Sequence, residues 1–235
     1  MRPEEFPSFR FPAVACGAIL CVGLHLDADD GWLEAVAPFV VAEERRRAAR
    51  FARKIDAIRH LAGRALVRRV LHGSRRGSLP GSFVVAPRGK PSAPNEGVDF
   101  SISHSGGMVW AAFCRDATVG IDVEEIRDLP DIAELASQLH PDEAAAIRAL
   151  PDATRNAAFY RCWTRKEAFL KATGEGLSRP LDSFRVDIGT DESGWISGGS
   201  AAEALWTSAD IGCGTRHQCC VAASAPRLEP VIVIA

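Results

Sequence analysis

The chain has 235 residues, a formal net charge of −2 at pH 7 and a charged fraction of 25%, which are ordinary values for a globular protein with a buried core. The near-neutral charge argues against a general nucleic-acid-binding protein, and the seven cysteines include no C-x-x-C pair of the kind that binds zinc. An odd number of cysteines, mostly within apolar runs, favours a reducing, cytoplasmic environment. The apolar run at 14–24 is too short to cross a bilayer, so we expect no membrane association.

The hydrophobic periodicity predicts strands and helices in the same order twice. The first half is expected to contain a strand, a long helix or helix pair and three further strands, at 14–26, 43–71, 83–86, 100–102 and 108–114. The second half is expected to contain a strand, two helical segments and four further strands, at 119–123, 131–150, 156–172, 184–188, 205–211, 219–223 and 231–234. We therefore expect an α+β fold with two halves, residues 1–115 and 116–235, and two such halves commonly enclose a site.

The segment 43–76 is strongly basic, with twelve Lys and Arg residues against three acidic ones. Its apolar residues from Phe51 to Val70 recur at steps of three and four, as on the buried face of a helix. The charge fits either a solvated helix face or a binding site for a polyanion.

Three carboxylates favour a metal site that faces a phosphate. Asp122 and Glu124 are two apart on a predicted strand and point to one face, where like charges repel unless a cation lies between them. Glu167 on the second long helix can complete the set, and Mg²⁺, or Mn²⁺ in its place, prefers such oxygen ligands. Lys166 and Lys171 could offset the remaining negative charge and receive a substrate phosphate. Each pair alone is also typical of an exposed strand end or helix surface, so the prediction depends on the combination.

Two further motifs have a structural and a functional interpretation. Ser103 and His104 end a strand before a Gly-Gly turn, where a histidine is more often structural but could bind a phosphate oxygen. Gly89-Lys90-Pro91 is either a surface turn or a backbone clamp with a cationic arm.

Taken together, four motifs resemble those of the Sfp-type 4′-phosphopantetheinyl transferases, in the same order and spacing. They are GKP at 89–91, FSISHS at 100–105, GIDVE at 120–124 and WTRKEAFLK at 163–171, the last followed by GEGL at 174–177. The resemblance covers about residues 43–184 and includes a basic helix around 50–68. It implies two similar α/β subdomains that form an intrachain pseudo-dimer, with coenzyme A bound in the cleft between them.

The resemblance also implies the reaction and its partners. The family moves phosphopantetheine from coenzyme A to a serine of an apo acyl or peptidyl carrier protein and releases 3′,5′-ADP, in fatty-acid, polyketide or nonribosomal-peptide synthesis. Both halves of the site would lie in one chain, so a monomer is expected.

By resemblance, the catalytic and metal-binding roles fall on β-strand and helix residues already singled out. The implied Mg²⁺ ligands are Asp122, Glu124 and Glu167. Glu167 would also be the base toward the carrier serine, directly or through a water. Lys171 would lie on the pyrophosphate, and His104 with Ser103 would hold it.

The nucleotide end is implied to contact the first half of the chain. Lys90 and Pro91 would border the nucleotide, and Arg47 and Arg59 would bind the 3′-phosphate. A further basic position of the family is Glu44 here, which leaves Arg45, Arg46 or Arg64 as substitutes.

Two other functions use the same residues. A metal-dependent phosphodiesterase could employ the carboxylates, a lysine and the basic helix, but the basic charge is concentrated in one place. A non-catalytic module that binds coenzyme A or a carrier protein would usually have lost a carboxylate or the lysine, and here all are present.

Overall fold

The computed structural model describes residues 1–26, 31–73, 83–85, 89–189, 193–197, 206–225 and 229–235. The α-helices in these ranges are α1 (Gly31–Val36), α2 (Ala42–Ala48), α3 (Lys54–His72), α4 (Ile132–Ala136), α5 (Pro141–Ala149) and α6 (Asp152–Thr173). The strands are β1 (Ile19–His25), β2 (Val84–Val85), β3 (Pro91–Ser92), β4 (Asp99–Ser105), β5 (Met108–Cys114), β6 (Val119–Glu125), β7 (Arg185–Val186), β8 (Ser193–Ser197), β9 (Thr207–Ile211), β10 (His217–Ala223) and β11 (Pro230–Ile234). Short 3₁₀ helices lie at Pro3–Glu5, Ala37–Phe39, Pro94–Glu96, Gly176–Ser178 and Leu181–Ser183. None of the helices in these ranges combines the length and apolar composition that a bilayer crossing needs.

The strands form two larger sheets, and the α+β class is confirmed. The first sheet has the order β11-β1-β5-β4 and the second the order β6-β10-β9-β8-β7, while β2 and β3 form a separate pair. In each half, within the described ranges, the first strand is followed by helices and then by four strands, the fourth of which returns to pair antiparallel with the first. This repeated connection order is what two similar halves require.

The two sheets pack against each other, with helices on the outer face of each. In β1, Leu20 and Val22 belong to the apolar cluster that includes residues of α1–α3, whereas Cys21 shares a second cluster with Val221 of β10. On the other face of β10, Cys220 packs in the cluster of α6. Because both faces of the central strands are covered, these strands are apolar throughout and not alternating.

The predicted helices differ from the observed ones at their junctions. The segment 43–71 forms two helices, α2 and α3, because the backbone is extended at Arg53 (φ −108°, ψ 135°). The segment 131–150 also divides, since the His140 side chain caps the first turn of α5 by accepting from the Asp142 N–H. The short helix α1 was not predicted.

The predicted strands differ from the observed strands mainly in the residues at which they begin and end. The first spans Ile19–His25 and not 14–26, and β8 was not predicted because its sequence, SGWIS, has little of the expected pattern. The predicted strands at 83–86 and 205–211 each include one residue, 86 or 205, outside the described ranges.

The last strand crosses the expected boundary between the halves. β11 pairs in parallel with β1, with Ile19 opposite Pro230 and Gly23 opposite Ile234. Residues 230–234 therefore complete the sheet of the first half, although the division at 115/116 assigns them to the second.

Candidate active site

The edge strands of the two sheets, β4 and β6, run side by side and are joined through side chains. Four side-chain oxygens of β4 accept hydrogen bonds from backbone N–H groups of β6: Asp99 from Val119 (2.8 Å), Ser101 from Ile121 (3.2 Å), Ser103 from Val123 (3.3 Å) and Ser105 from Glu125 (3.1 Å). The partners are always twenty residues apart, so the strands run in the same direction. We call this contact the β4–β6 ladder; it brings the FSISHS and GIDVE motifs together.

Helix α6 approaches β6 closely because Gly120 has no side chain. A Cβ atom at Gly120 would overlap the Ala168 carbonyl oxygen and the Ala172 backbone nitrogen. Alternate residues of a strand point to one face, so Asp122 and Glu124 share this face with Gly120. The glycine thereby sets the carboxylates of β6 against the helix that carries the third carboxylate.

Lys171 of α6 links the two strands at the carboxylates. Its Nζ donates to Asp122 Oδ1 at 2.6 Å and to Ser103 Oγ at 2.8 Å. The Ser103 hydroxyl in turn donates to Asp122 Oδ1 at 2.8 Å. Asp122 is only 2% exposed, so the ammonium compensates a buried negative charge.

The other two carboxyl groups have raised pKa values. Burial raises the pKa of Glu124 and the charge of Asp122 adds to the shift, while the hydrogen bond from Ser105 (2.8 Å) opposes it. Burial likewise raises the pKa of Glu167, with Asp122 adding and Lys171 opposing. Burial therefore disfavours the ionised form of both carboxyl groups, and the neighbouring Asp122 carboxylate disfavours it further.

Two carboxylate oxygens in this cluster lack a partner. Asp122 Oδ2 and Glu167 Oε1 are buried and accept no hydrogen bond from the residues described. In the same ranges no three His, Cys, Asp or Glu side chains are gathered closely enough to form a ready-made metal site, and Lys171 contacts Asp122 Oδ1. The hard oxygen donors, the surplus negative charge and the two unpaired oxygens nevertheless fit Mg²⁺, which needs few protein ligands.

These side chains line a cavity of about 710 Å³, here called the main cavity. The predicted site residues in its wall are Arg47, Arg64, Lys90, Pro91, Ser103, His104, Asp122, Glu124, Glu167 and Lys171. Phe51 and Trp163 also contribute to the wall. Residues that lie far apart in the sequence thus line one cavity that is open to solvent.

His104 is open to the main cavity, but the surrounding protein atoms desolvate its imidazole and lower its pKa. The positive charges of Arg59 and Lys171 act in the same direction. A bound anion would favour protonation of His104 and so strengthen its own binding.

A second cavity of about 450 Å³, the basic cavity, adjoins the main cavity and shares Arg47, His60 and Arg64 with it. Arg46 and Arg50 also line it, and the four arginines of its wall outnumber its two acidic residues, Glu43 and Glu44. Burial, followed by Arg64 and Arg47, lowers the pKa of His60 to about 4. His60 was not predicted as a site residue, because nothing in the helical pattern distinguishes it from a residue of the core.

Arg59 does not line either cavity, so its predicted contact with the 3′-phosphate lacks the expected geometry. Its guanidinium donates to the Gly106 carbonyl at 2.8 Å and pairs with Asp56, and the residue is only 6% exposed. Arg59 therefore ties α3 to the turn after β4 and places charge near His104.

Glu44, which stands at a basic position of the family, has a structural role. It accepts two hydrogen bonds from Arg68, at 2.8 and 2.9 Å, and so neutralises a buried guanidinium. Among the three proposed substitutes, Arg46 and Arg64 line the basic cavity, whereas Arg45 bonds back to a carbonyl of the preceding 3₁₀ helix.

Lys90 lies in the wall of the main cavity, but its ammonium is committed to protein partners. Nζ donates to Asp99 Oδ2 at 2.7 Å and to the carbonyls of Val119 and Ala172 at 3.2 Å each. These contacts join the loop before β3 to the second half of the chain.

Lys166, expected to offset charge beside the metal, points away from the cavity. It is fully buried, bonds to the carbonyls of Leu181 (2.8 Å) and Phe184 (2.6 Å) and pairs with Glu143 at 2.8 Å. That expectation was wrong: Lys166 anchors α6 in its core, and charge compensation falls to Lys171.

The sequence of this chain is similar to those of several proteins of known function. A family model described as the 4′-phosphopantetheinyl transferase superfamily matches residues 118–222. A 4′-phosphopantetheinyl transferase of Bacillus pumilus is 37% identical over 163 residues, 68% of each chain. The transferase HetI of Nostoc sp. is 34% identical over 172 residues, 70% of this chain and 72% of its own. The transferase Sfp of Bacillus subtilis strain 168 is 38% identical over 158 residues, 65% of this chain and 68% of its own.

The matched region spans β6, α6 and nearly all of β10, and so contains the carboxylates of the main cavity together with Lys171. The similarity to the three relatives extends over about two thirds of each chain. Fold, cavity residues and sequence similarity agree: the chain belongs to the 4′-phosphopantetheinyl transferase family.

Proposed function

We propose that the chain transfers the 4′-phosphopantetheine group of coenzyme A to a serine of an apo acyl or peptidyl carrier protein and releases 3′,5′-ADP. Membership of the family makes it a transferase of this group. The observation that carries the proposal is the convergence of β4, β6 and α6 on the main cavity, next to the basic cavity. Coenzyme A carries a pyrophosphate and a separate 3′-phosphate, and the two adjoining cavities offer a place for each.

The pyrophosphate would lie among Ser103, His104 and Lys171. Phosphoryl transfer depends mainly on positioning and on neutralising the phosphate oxygens, and these side chains supply donors and positive charge from both halves. Lys171 already bonds to Asp122 at the cavity wall, so it would offset charge on the departing 3′,5′-ADP.

The nucleotide end would lie toward the basic helices. Arg47 and Arg64 line both cavities and are the cations that we assign to the 3′-phosphate, with Arg46 beside them. Lys90 and Pro91 would border the nucleotide, with the Lys90 ammonium held by its protein partners.

Glu167 would take the proton of the carrier serine, directly or through a water. In this step the serine oxygen forms the new bond to the phosphorus of the phosphopantetheine phosphate. The bond from that phosphorus to the bridging oxygen of 3′,5′-ADP breaks, and 3′,5′-ADP leaves. The raised pKa of Glu167 suits a base, because a more basic carboxylate accepts the proton more readily.

Asp122, Glu124 and Glu167 would hold Mg²⁺, or Mn²⁺ in its place. A bound cation would act as a Lewis acid on the phosphate oxygens. The unpaired oxygens of Asp122 and Glu167 support this assignment.

The proposed setting is a monomer in the cytoplasm, without nucleic acid or membrane as partner. The strands and helices that line the main cavity all come from one chain, which supports a monomeric enzyme. The apo carrier protein is then the macromolecular partner that the reaction requires.

The proposal is tested by incubating an apo acyl carrier protein with coenzyme A, Mg²⁺ and the chain, with Glu167→Gln as matched control. We expect 3′,5′-ADP, quantified by chromatography, to appear in the same amount as holo carrier protein. Release of 3′,5′-ADP without holo carrier would indicate a phosphodiesterase, and tight coenzyme A binding without either product would indicate a binding module.

A further inference from the structure

One residue of the FSISHS motif, Ser105, has no part in the roles assigned above, although it lies beside the cluster of carboxylates. Its hydroxyl accepts a hydrogen bond from the Glu125 N–H at 3.1 Å and contacts Glu124 Oε2 at 2.8 Å. Ser103, two residues earlier on the same strand, makes the corresponding contacts: it accepts from the Val123 N–H and donates to the Asp122 carboxylate.

The ladder fixes the direction of the Ser105 hydrogen bond. A hydroxyl has a single hydrogen and two acceptor lone pairs. Because the Glu125 N–H can only donate, it occupies a lone pair, and the hydroxyl hydrogen is left for Glu124. The backbone of β6 thereby orients a donor toward a carboxylate of the same strand.

The side chain that orients the Glu124 carboxylate comes from the other half of the chain. Ser105 lies on β4, the edge of the first sheet, whereas Glu124 lies on β6, the edge of the second. The position of the carboxylate is therefore tied to the relative position of β4 and β6.

We propose that Ser105 is a positioning residue that holds the Glu124 carboxylate in place for the divalent cation. This inference rests on the proposed function, in which Glu124 is a metal ligand. Hydrogen-bond partners of ligating carboxylates commonly set the orientation of those ligands, and their loss weakens metal binding by about 10- to 100-fold.

The test compares Ser105→Ala with Ser105→Thr, which keeps the hydroxyl, and with Ser101→Ala. Ser101 accepts from the Ile121 N–H in the same ladder, and among the described residues its hydroxyl contacts no carboxylate. Ser101→Ala therefore removes a ladder hydrogen bond without removing a carboxylate contact. Free Mn²⁺ is measured by electron paramagnetic resonance during titration of each protein without coenzyme A. Thermal unfolding of each variant in Mn²⁺-free buffer reports any structural damage.

We expect Ser105→Ala to weaken Mn²⁺ binding at least about 10-fold. Ser105→Thr should bind like the parent, and Ser101→Ala should lose thermal stability without a comparable loss of Mn²⁺ affinity. If Ser105→Ala does not fold, Ser105→Cys, whose thiol is a weak donor, should show an intermediate loss.

Parental Mn²⁺ affinity in Ser105→Ala, or in Ser105→Cys where that variant replaces it, would overturn the inference and leave the proposed function intact. An equal loss of affinity in Ser101→Ala and Ser105→Ala would also overturn it, because the strand contact and not the carboxylate bond would then be responsible. No Mn²⁺ binding by the parent protein, either without or with coenzyme A, would overturn the metal assignment and this inference together, whereas failure of the proposed function is detected separately by the carrier-protein assay.

Discussion

At the scale of single residues, the adjacent α6 residues Lys166 and Glu167 have different roles. Lys166 is fully buried and pairs with Glu143, whereas Glu167 lies in the wall of the main cavity. Successive helical residues point about 100° apart, so the side chains of Lys166 and Glu167 leave the helix in different directions. The sequence identifies both as charged, but the packing partner that selects one for the core comes from α5, a separate element.

Glu167→Gln should lower kcat by at least about 10²-fold, because the amide cannot accept the serine proton. Coenzyme A affinity measured without a divalent cation should change little, since the cations that we assign to the 3′-phosphate lie in the basic cavity, which Glu167 does not line. Steady-state kinetics and calorimetric titration with coenzyme A give the two quantities. Parental turnover in this variant would contradict the assignment of the base.

The same variant should be more stable than the parent at pH 7 without divalent cations. A carboxyl with a raised pKa destabilises the fold where it is ionised, and this penalty disappears as the pH falls below its ordinary value of 4.5. The stabilisation by Glu167→Gln should therefore shrink toward acid pH, as thermal unfolding can show. A loss of stability at pH 7 would point to structural damage in the variant.

The pH dependence of transfer should reflect the same carboxyl groups. The base must be ionised, so kcat/KM should fall with falling pH. In the protein without a divalent cation, burial and the charge of Asp122 raise the pKa values of Glu124 and Glu167 above the ordinary 4.5, and a bound cation would lower both. Coenzyme A affinity measured over the same range separates any titration of the substrate phosphates. Titration of the carboxyl groups by NMR in the cation-free protein tests these environments, and midpoints of Glu124 and Glu167 at or below 4.5 would contradict them.

At the scale of elements, the site depends on how closely α6 packs on β6. The strand at 119–123 and the helix at 156–172 are recognisable from periodicity, and the observed β6 and α6 contain both. Their contact is not recognisable in the same way, because the absence of a side chain at Gly120 matters only once the helix lies against it.

Gly120→Ala should therefore displace α6 and lower both stability and turnover. Inserting a methyl group into a tightly packed contact commonly costs about 1–3 kcal/mol. Urea unfolding and kcat measure the two effects, with Gly212→Ala as control because a Cβ there meets no atom within 4 Å. Parental stability and turnover in Gly120→Ala would show that the close approach is dispensable.

The helices α2 and α3 show what hydrophobic periodicity alone does not predict. Phe51 continues the apolar pattern of the following helix, but it is 39% exposed and lies at the wall of the main cavity. The break between α2 and α3 thereby turns a residue counted as core into part of the site. The pattern alone cannot separate these two environments.

At the scale of the whole molecule, two halves with the same connection order meet along β4 and β6. The carboxylate residues and the repeated order were predictable, because strand and helix periods reveal them locally. The β4–β6 ladder was not, since it depends on the register of two strands in different sheets. The pairing of β11 with β1 in the first sheet was likewise not predictable, because the sequence of an apolar strand does not indicate which strand it pairs with.

The most direct test of the proposed reaction is intact-protein mass spectrometry of apo carrier proteins after incubation with the chain, coenzyme A and Mg²⁺. The carriers should span fatty-acid, polyketide and nonribosomal-peptide synthesis, each with and without chelator. The proposed function predicts that at least one carrier gains the mass of a single phosphopantetheine group and that chelator abolishes the gain. A gain that persists with chelator would contradict the metal assignment, and no gain on any carrier together with no binding of coenzyme A would contradict the proposed function.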